Sequence, residues 1–360
     1  MILEDLLQLV FQKNGSDLHI STGLPPVIRV DGKLLRTDHP PLTKEDVQRL
    51  IFGMLNNEQR RNLEQNWELD CSYGVYGLGR FRVNVYKEKG NYAAAFRAIT
   101  TDIPAFDDLG LPSVVREIAE KPRGLILVTG PTGSGKSTTL ASMIDHINAT
   151  RSEHILTIED PCEFIHSSKR SIVHQRELGQ DTRSFSNALR AALREDPDII
   201  LVGELRDLET VSLALTAAET GHLVMGTLHT SSASQTVDRI VDVFPAEQQQ
   251  QIRIQLSNSL VAVFSQTLIP KLGPDGQKKG RVLAQEIMIV TPAIANLIRE
   301  GKTAQIYSAI QTGGAMKMQT LETTLRDLYA KKLISYDDAM MKSSRPDDLK
   351  RMLDAASGVR

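Results

Sequence analysis

Residues 125–139 read LILVTGPTGSGKSTT. The apolar run 125–129 reads as a buried strand. It leads directly into Gly130-Pro131-Thr132-Gly133-Ser134-Gly135-Lys136-Ser137, which has the spacing G-x-x-x-x-G-K-S and opens a helix. Glycines let a backbone wrap a phosphate closely and turn its N–H groups inward. The helix N-terminus adds its positive end. A lysine at this position bridges β- and γ-phosphates, and the following hydroxyl ligates Mg²⁺. Thr132, Gly133, Ser134, Gly135, Lys136, Ser137 and Thr138 are therefore the expected ATP-binding residues, with Lys136 also catalytic and Ser137 a metal ligand. The strand–loop–helix context separates this pattern from a chance glycine-rich turn.

Downstream, strands and helices alternate. Residues 155–158, 198–202 and 222–228 read as strands. Residues 185–195 and 208–220 read as helices, the second capped by Asp207 and ended by Gly221. Apolar strands between helices imply a parallel sheet covered on both faces. Residues 247–267 read as one long helix, followed by a polar hairpin loop, 271–281, and a strand, 282–290. The remainder is mostly helical, with start signals at Thr291-Pro292 and Ser335-x-x-Asp338.

Upstream, the pattern differs. Leu3, Leu6, Leu7 and Val10 have helical spacing over 3–13, and Asn14-Gly15 stops that helix. Strands are expected at 19–21, 27–30 and 33–36, with Asp31-Gly32 as the turn between the last two. Helices follow at 43–55, capped by Thr43 with Asp46, and at 58–65. Longer strands follow at 68–76, 79–87 and 92–99. This gives a small α+β domain at 1–100. A Pro- and Gly-broken linker at 101–122 contains a short helix, 113–119. An α/β ATPase domain occupies 123–360.

Composition agrees with a soluble globular chain. The 42 Lys and Arg against 44 Asp and Glu leave a net charge of −2, which does not favour a nucleic-acid coat. The two cysteines, Cys71 and Cys162, cannot build a four-cysteine metal site. The chain shows neither a signal pattern nor a run apolar enough for a transmembrane segment, and a cytoplasmic protein is expected.

Several polar residues stand out against the buried strands. Residues 198–204 (DIILVGE) form an apolar strand ending in Glu204. A carboxylate there could orient or deprotonate the attacking water, or hold Mg²⁺ through water. Strand 155–158 also ends in acids, Glu159, Asp160 and Glu163, which cannot all point inward. His222 and His229 flank strand 222–228 and could sense a γ-phosphate or a neighbouring subunit; they could equally be structural. Arg190 and Arg194 share a helix face. Arg80 and Arg82 share a strand face, with Arg97 on another strand. By spacing alone these arginines read as surface charge.

The sequence resembles the secretion-superfamily ATPases, and within them the type IV pilus retraction motors. SDLHIS (16–21) and GLPPVIRVDGKL (23–34) resemble the family's PAS-like first domain, and GPTGSGKSTT (130–139) its Walker A. TIEDPCEF (157–164) resembles the Asp box, LREDPDIILVGELRD (193–207) an atypical Walker B, and TGHLVMGTLHT (220–230) the His box. The resemblance implies a RecA-like P-loop domain with a parallel-rich sheet behind a PAS-like α+β domain. It also implies a Mg²⁺-dependent, hexameric ATPase acting on pili through an inner-membrane platform protein, from the cytoplasmic side. On those motifs Glu204 is the catalytic glutamate and Glu163 the Asp-box acid. His222 and His229 both matter. Arg82 and Arg97 reach a nucleotide held between the two domains, and Arg190 and Arg194 lie on the phosphate side. AIANLIRE (293–300) resembles the retraction motif, with Ala295 where an arginine is expected. Rival readings are an assembly or secretion ATPase, an accessory retraction paralogue, or an ATP-binding regulator that does no mechanical work.

Overall fold

In the computed structural model, which describes residues 2–30, 32–99, 102–274 and 276–356, packing divides the chain into two units. One is Met1–Asp102 with Pro161–Ile165 and Glu177–Asp181. The other is Ile103–Asp160 with His166–Arg176 and Thr182–Arg360.

The first unit contains α1 (Leu3–Gln12), β1 (Asp17–Ser21), β2 (Val27–Val30) and β3 (Lys33–Arg36). It continues with α2 (Lys44–Met54), α3 (Asn57–Asn66), β4 (Glu68–Val75), β5 (Gly79–Glu88) and β6 (Asn91–Ile99). The strands form one sheet in the order β3-β2-β1-β6-β5-β4, antiparallel throughout. α1 buries Leu3, Leu6, Leu7 and Val10, the stripe its spacing demands. At α2, Thr43 and Asp46 close a capping box. Alternation along β5 sends Phe81, Val83 and Val85 into the core and leaves Arg82 exposed. Val30 pairs with Lys33; Asp31, half of the expected turn, lies outside the described residues.

The second unit opens with α4 (Ser113–Ala119), β7 (Gly124–Thr129), α5 (Lys136–Thr150), β8 (His154–Glu159) and β9 (Ile172–Glu177, whose last residue packs with the first unit). α6 (Phe185–Ala192), β10 (Ile199–Val202), α7 (Leu208–Glu219), β11 (Leu223–Leu228), α8 (Ala233–Asp242) and α9 (Ala246–Ser259) follow. β12 (Leu260–Leu272) and β13 (Lys278–Ile289) form a hairpin. α10 (Pro292–Arg299), α11 (Ile306–Thr312), α12 (Leu321–Ala330), α13 (Tyr336–Lys342) and α14 (Pro346–Ala356) complete the chain. The sheet order is β13-β12-β7-β11-β10-β8-β9. β12, β7, β11, β10 and β8 run parallel, and β13 is antiparallel to β12. Leu125 and Leu127 pack on one face with α6, α7, α8 and α9. Ile126 and Val128 pack on the other with α4 and α5. Burial on both faces is why these strands read as unbroken apolar runs. α12, α13 and α14 cover the outer half of the β12–β13 hairpin through Leu325, Ala339 and Leu349.

One expected element is corrected. The helix read over 247–267 ends at Ser259, and Leu260 begins a thirteen-residue strand. The run LVAVF satisfies either period locally. The open edge of β7 decides it, pairing Leu260 through Ser265 with Leu125 through Thr129. The strand expected at 282–290 begins earlier, at Lys278. β9 and α8 were not anticipated.

Candidate active site

The phosphate loop leaves the C-terminal end of β7 and turns into α5. Gly130 has φ +142°, and a β-carbon there would lie 2.2 Å from the Gln266 carbonyl oxygen and 2.6 Å from Ser134 Oγ. Only glycine fits. Gly135, at φ +88°, is the N-cap of α5, and no side chain caps that helix. The first turn is thus without a side-chain cap, and an anion suits such a helix end. Lys136 Nζ donates to the carbonyls of Gly130 (2.9 Å) and Pro131 (3.2 Å), so the ammonium is folded onto its own loop. Ser134 is buried, and its Oγ has no hydrogen-bond partner.

Sequence reading missed what supports this loop from behind. Gln266 of β12 donates from Nε2 to the Ser134 carbonyl at 2.9 Å. Its Oε1 accepts from Thr139 Oγ1 and from Gln285 Nε2, each at 3.1 Å. Thr129 and Ser265 hydroxyls meet at 2.8 Å one residue earlier in the register. The available signal was a pair of polar residues, Ser265-Gln266, within an apolar strand.

The other parallel strands deliver polar groups at the same C-terminal ends, where ligands of open α/β sheets bind. Glu204 follows β10, and Leu205 N–H donates to the Thr227 carbonyl of β11 at 3.0 Å. Gly203 lets the neighbouring strand close in, since a β-carbon there would meet the Glu159 Cα at 3.2 Å. Glu204 Oε2 lies 2.6 Å from Arg206 Nη2, and Oε1 lies 3.3 Å from His229 Nε2. Burial pushes the Glu204 carboxyl up, but the hydrogen bond and charge of Arg206, with His229, outweigh it. The net effect holds the group below the usual carboxylate range. Glu204 is therefore ionised at neutral pH, a carboxylate suited to orienting water rather than a strong base. Arg206, the clamp, was not singled out from sequence. At the end of β8, Glu159 accepts from Thr157 Oγ1 at 2.7 Å and Gln175 Nε2 at 3.4 Å.

Not every expected residue gathers here. His222 precedes β11, whose six residues run parallel to β7. It therefore sits about 20 Å of strand away from the loop end. Its ring Nδ1 lies 2.9 Å from the Ala217 carbonyl oxygen at the end of α7. Within one chain, His222 therefore lies away from the phosphate loop. α6 ends at Ala192, so Arg194 is not on the helix face with Arg190. Arg194 is exposed in the turn entering β10, at the opposite end from Glu204. Arg190 is ion-paired with Glu209. Neither of these arginines is directed to the loop by the bonds it makes.

In the first unit, Arg82 and Arg97 are paired directly across β5 and β6. Arg97 Nε bonds Asp17 Oδ1 at 2.9 Å, and Arg29 approaches the other oxygen of Asp17 at 3.8 Å. Asp17 is 8% exposed against 70% for Arg97, so a buried carboxylate holds an arginine whose head faces solvent. Glu163 is exposed in the Pro161–Ile165 segment that packs with this unit.

The loop fits a nucleoside polyphosphate: uncapped amides, glycines at positive φ, an ammonium in place and a buried unpartnered hydroxyl. Ser137, in the first turn of α5, and the ionised Glu204 are the oxygen donors a Mg²⁺ ion prefers.

The family model described as type II/IV secretion system protein matches residues 105–327. The chain is 56% identical to the type IV pilus retractation ATPase PilT of Pseudomonas aeruginosa over 97% of this chain and 100% of that one. It is 52% identical to a twitching motility protein of Neisseria gonorrhoeae, over 90% of this chain and 86% of that one. A crystal structure of the pilus retraction motor PilT with bound ADP superposes with a TM-score of 0.89. It has 52% identity and covers 98% of this chain and 99% of the other. Among the described residues no helix is long and apolar enough to cross a membrane. With the P-loop, the strand-end carboxylate and the sheet order in place, the chain belongs to the type II/IV secretion system protein family.

Proposed function

We infer that this chain is an ATPase motor that drives retraction of a type IV pilus. The observation that carries the reading is the essentially full-length match to a pilus retraction ATPase. The P-loop and Glu204 give that match its chemistry. On this reading the motor is a homohexamer in the cytoplasm, acting on the pilus machinery through an inner-membrane platform protein.

Lys136 exchanges the Gly130 and Pro131 carbonyls for oxygens of the β- and γ-phosphates. The α5 amides close around the β-phosphate, and the Ser134 hydroxyl gains an acceptor. Glu204 orients a water for in-line attack at the γ-phosphorus. The bond from phosphorus to the β–γ bridging oxygen breaks as the new P–O bond forms. His229 and Arg206 keep the carboxylate ionised and aimed. Mg²⁺, when bound, neutralises phosphate charge, with Ser137 as its ligand and Glu204 reaching it through water. In the assembled ring Arg82 and Arg97 add positive charge at a bound nucleotide, with Glu163 as an accessory acid.

The test is Glu204→Gln, which keeps shape and loses charge. The full-length variant should bind ATP with about wild-type affinity and lose hydrolysis by roughly a hundredfold or more. Cells carrying it in place of the wild type should keep surface pili that no longer retract. Wild-type turnover would refute the assignment of Glu204. Loss of all pili would instead favour an assembly motor.

A further inference from the structure

Glu286 is a carboxylate that the hydrolytic scheme leaves unused. It lies on β13, 4% exposed, and its Oε1 accepts from the Ala233 backbone N–H at 2.7 Å. Ala233 is the first residue of α8. Ser232 caps the same turn by accepting from Gln235 N–H. A carboxyl oxygen at this end answers an orphan amide of the first turn. The loop anchored there is short. Ala233 is four residues past His229, whose Nε2 lies 3.3 Å from Glu204. Thr230 and Thr236 hydroxyls at 2.7 Å tighten the same segment. The charges of Glu322 on α12 and of Arg345 act on Glu286 in opposite senses. Glu322 is fully buried and accepts from Tyr307 Oη, Ser343 Oγ and Arg345 N–H.

We propose that Glu286 is a positioning residue for hydrolysis: from β13 it pins the His229–Ala233 loop against Glu204. This rests on the reading that Glu204 and His229 serve hydrolysis. The Glu286 carboxyl is lifted to about 7: burial raises it most, the Ala233 N–H lowers it, and Glu322 and Arg345 add smaller opposing effects. The protonated form is thus well populated at neutral pH, and Glu286→Gln mimics it with the acceptor oxygen retained.

The experiment measures steady-state ATPase kinetics and fluorescent-nucleotide binding on the full chain. Glu286→Ala, Glu286→Gln, Ala233→Pro and Glu204→Gln are compared. Glu286→Ala should lower kcat about tenfold through misplacement of His229 and leave KM within about twofold, since the P-loop is intact. Glu286→Gln should restore kcat to within about twofold. Ala233→Pro removes the donor, and proline is tolerated at a first helical position; it should reproduce the Glu286→Ala loss. A folded Glu286→Ala enzyme with wild-type kcat overturns the proposal, as does a Gln variant as impaired as the Ala variant. Should Glu286→Ala not fold, the Gln and Pro variants decide by the same criteria. If Glu204→Gln is inactive while the Glu286 variants are normal, only this proposal fails. If Glu204→Gln turns over normally, the underlying reading fails first.

Discussion

Replacing Gln266 with leucine tests whether the phosphate loop is held by its own sequence or by the strand behind it. Leucine keeps the volume and removes both polar functions. Three partners are affected: the Ser134 carbonyl, the Thr139 hydroxyl and the Gln285 amide. Thr139 sits in a helix, and its hydroxyl can turn to the carbonyl four residues earlier, so its loss costs little. The other two groups stay buried and unpaired, at about 1–2 kcal/mol each. The expected destabilisation of the second unit is about 3 kcal/mol, a melting point lower by about 6–12 °C for a unit of this size. Because Ser134 lies inside the loop, ADP affinity should fall by about tenfold if half of that cost is borne by the bound-competent conformation. Calorimetric melting and a nucleotide titration on the purified chain would measure both. A melting point within 2 °C of wild type with unchanged ADP affinity would refute the view that β12 holds the loop.

Two further outcomes follow from other groups. Arg206 and His229 hold the Glu204 carboxyl below its ordinary value against the opposing effect of burial; the stability this contributes is present above the unfolded-state value and is lost as pH falls through the folded one. Arg206→Ala should therefore move the acid limb of the ATPase pH–rate profile upward, and an unmoved limb would show that Glu204 does not set it. The double change Arg299→Ala with Glu300→Ala alters exposed charge on α10, where Ile294 and Ile298 supply the buried side. It should leave stability within about 0.5 kcal/mol and ATPase activity largely intact while abolishing retraction in cells, and Ala295→Arg should improve retraction if the family arginine transmits force. Normal retraction in the double variant would reduce α10 to packing.

The parts of the site legible in the sequence are those whose chemistry is local. Gly130 to Ser137 must be contiguous because one turn of backbone wraps one phosphate, so the loop declares itself. Glu204 declares itself because a charge following a four-residue apolar strand has few places to go but the C-terminal end of the sheet. What stayed hidden is contributed from a distance. Gln266 supports Ser134 from 132 residues away, and Glu286 reaches Ala233 from 53. Gln266 lies on the strand read as the end of a helix, because LVAVF fits two periods and only the open edge of β7 chooses between them; Glu286 lies on its hairpin partner, an expected strand whose neighbours were not. Where the strand is not known, a polar residue on it cannot be seen to face anything.

The arginines show the same boundary. Alternation alone puts Arg80 and Arg82 on one face, but it says nothing of Arg97, which is on another strand. Register supplies the rest: Arg82 opposes Arg97, and Arg97 opposes Asp17. Two like charges directly across a sheet repel, so the pair persists because Asp17 compensates one of them from the next strand. A buried acid that holds an exposed guanidinium steady lowers the entropy that the guanidinium loses on meeting a phosphate. The role carried by Ser16-Asp17-Leu18-His19 in the first domain is therefore less a motif in itself than the near half of an ion pair whose far half lies 80 residues on.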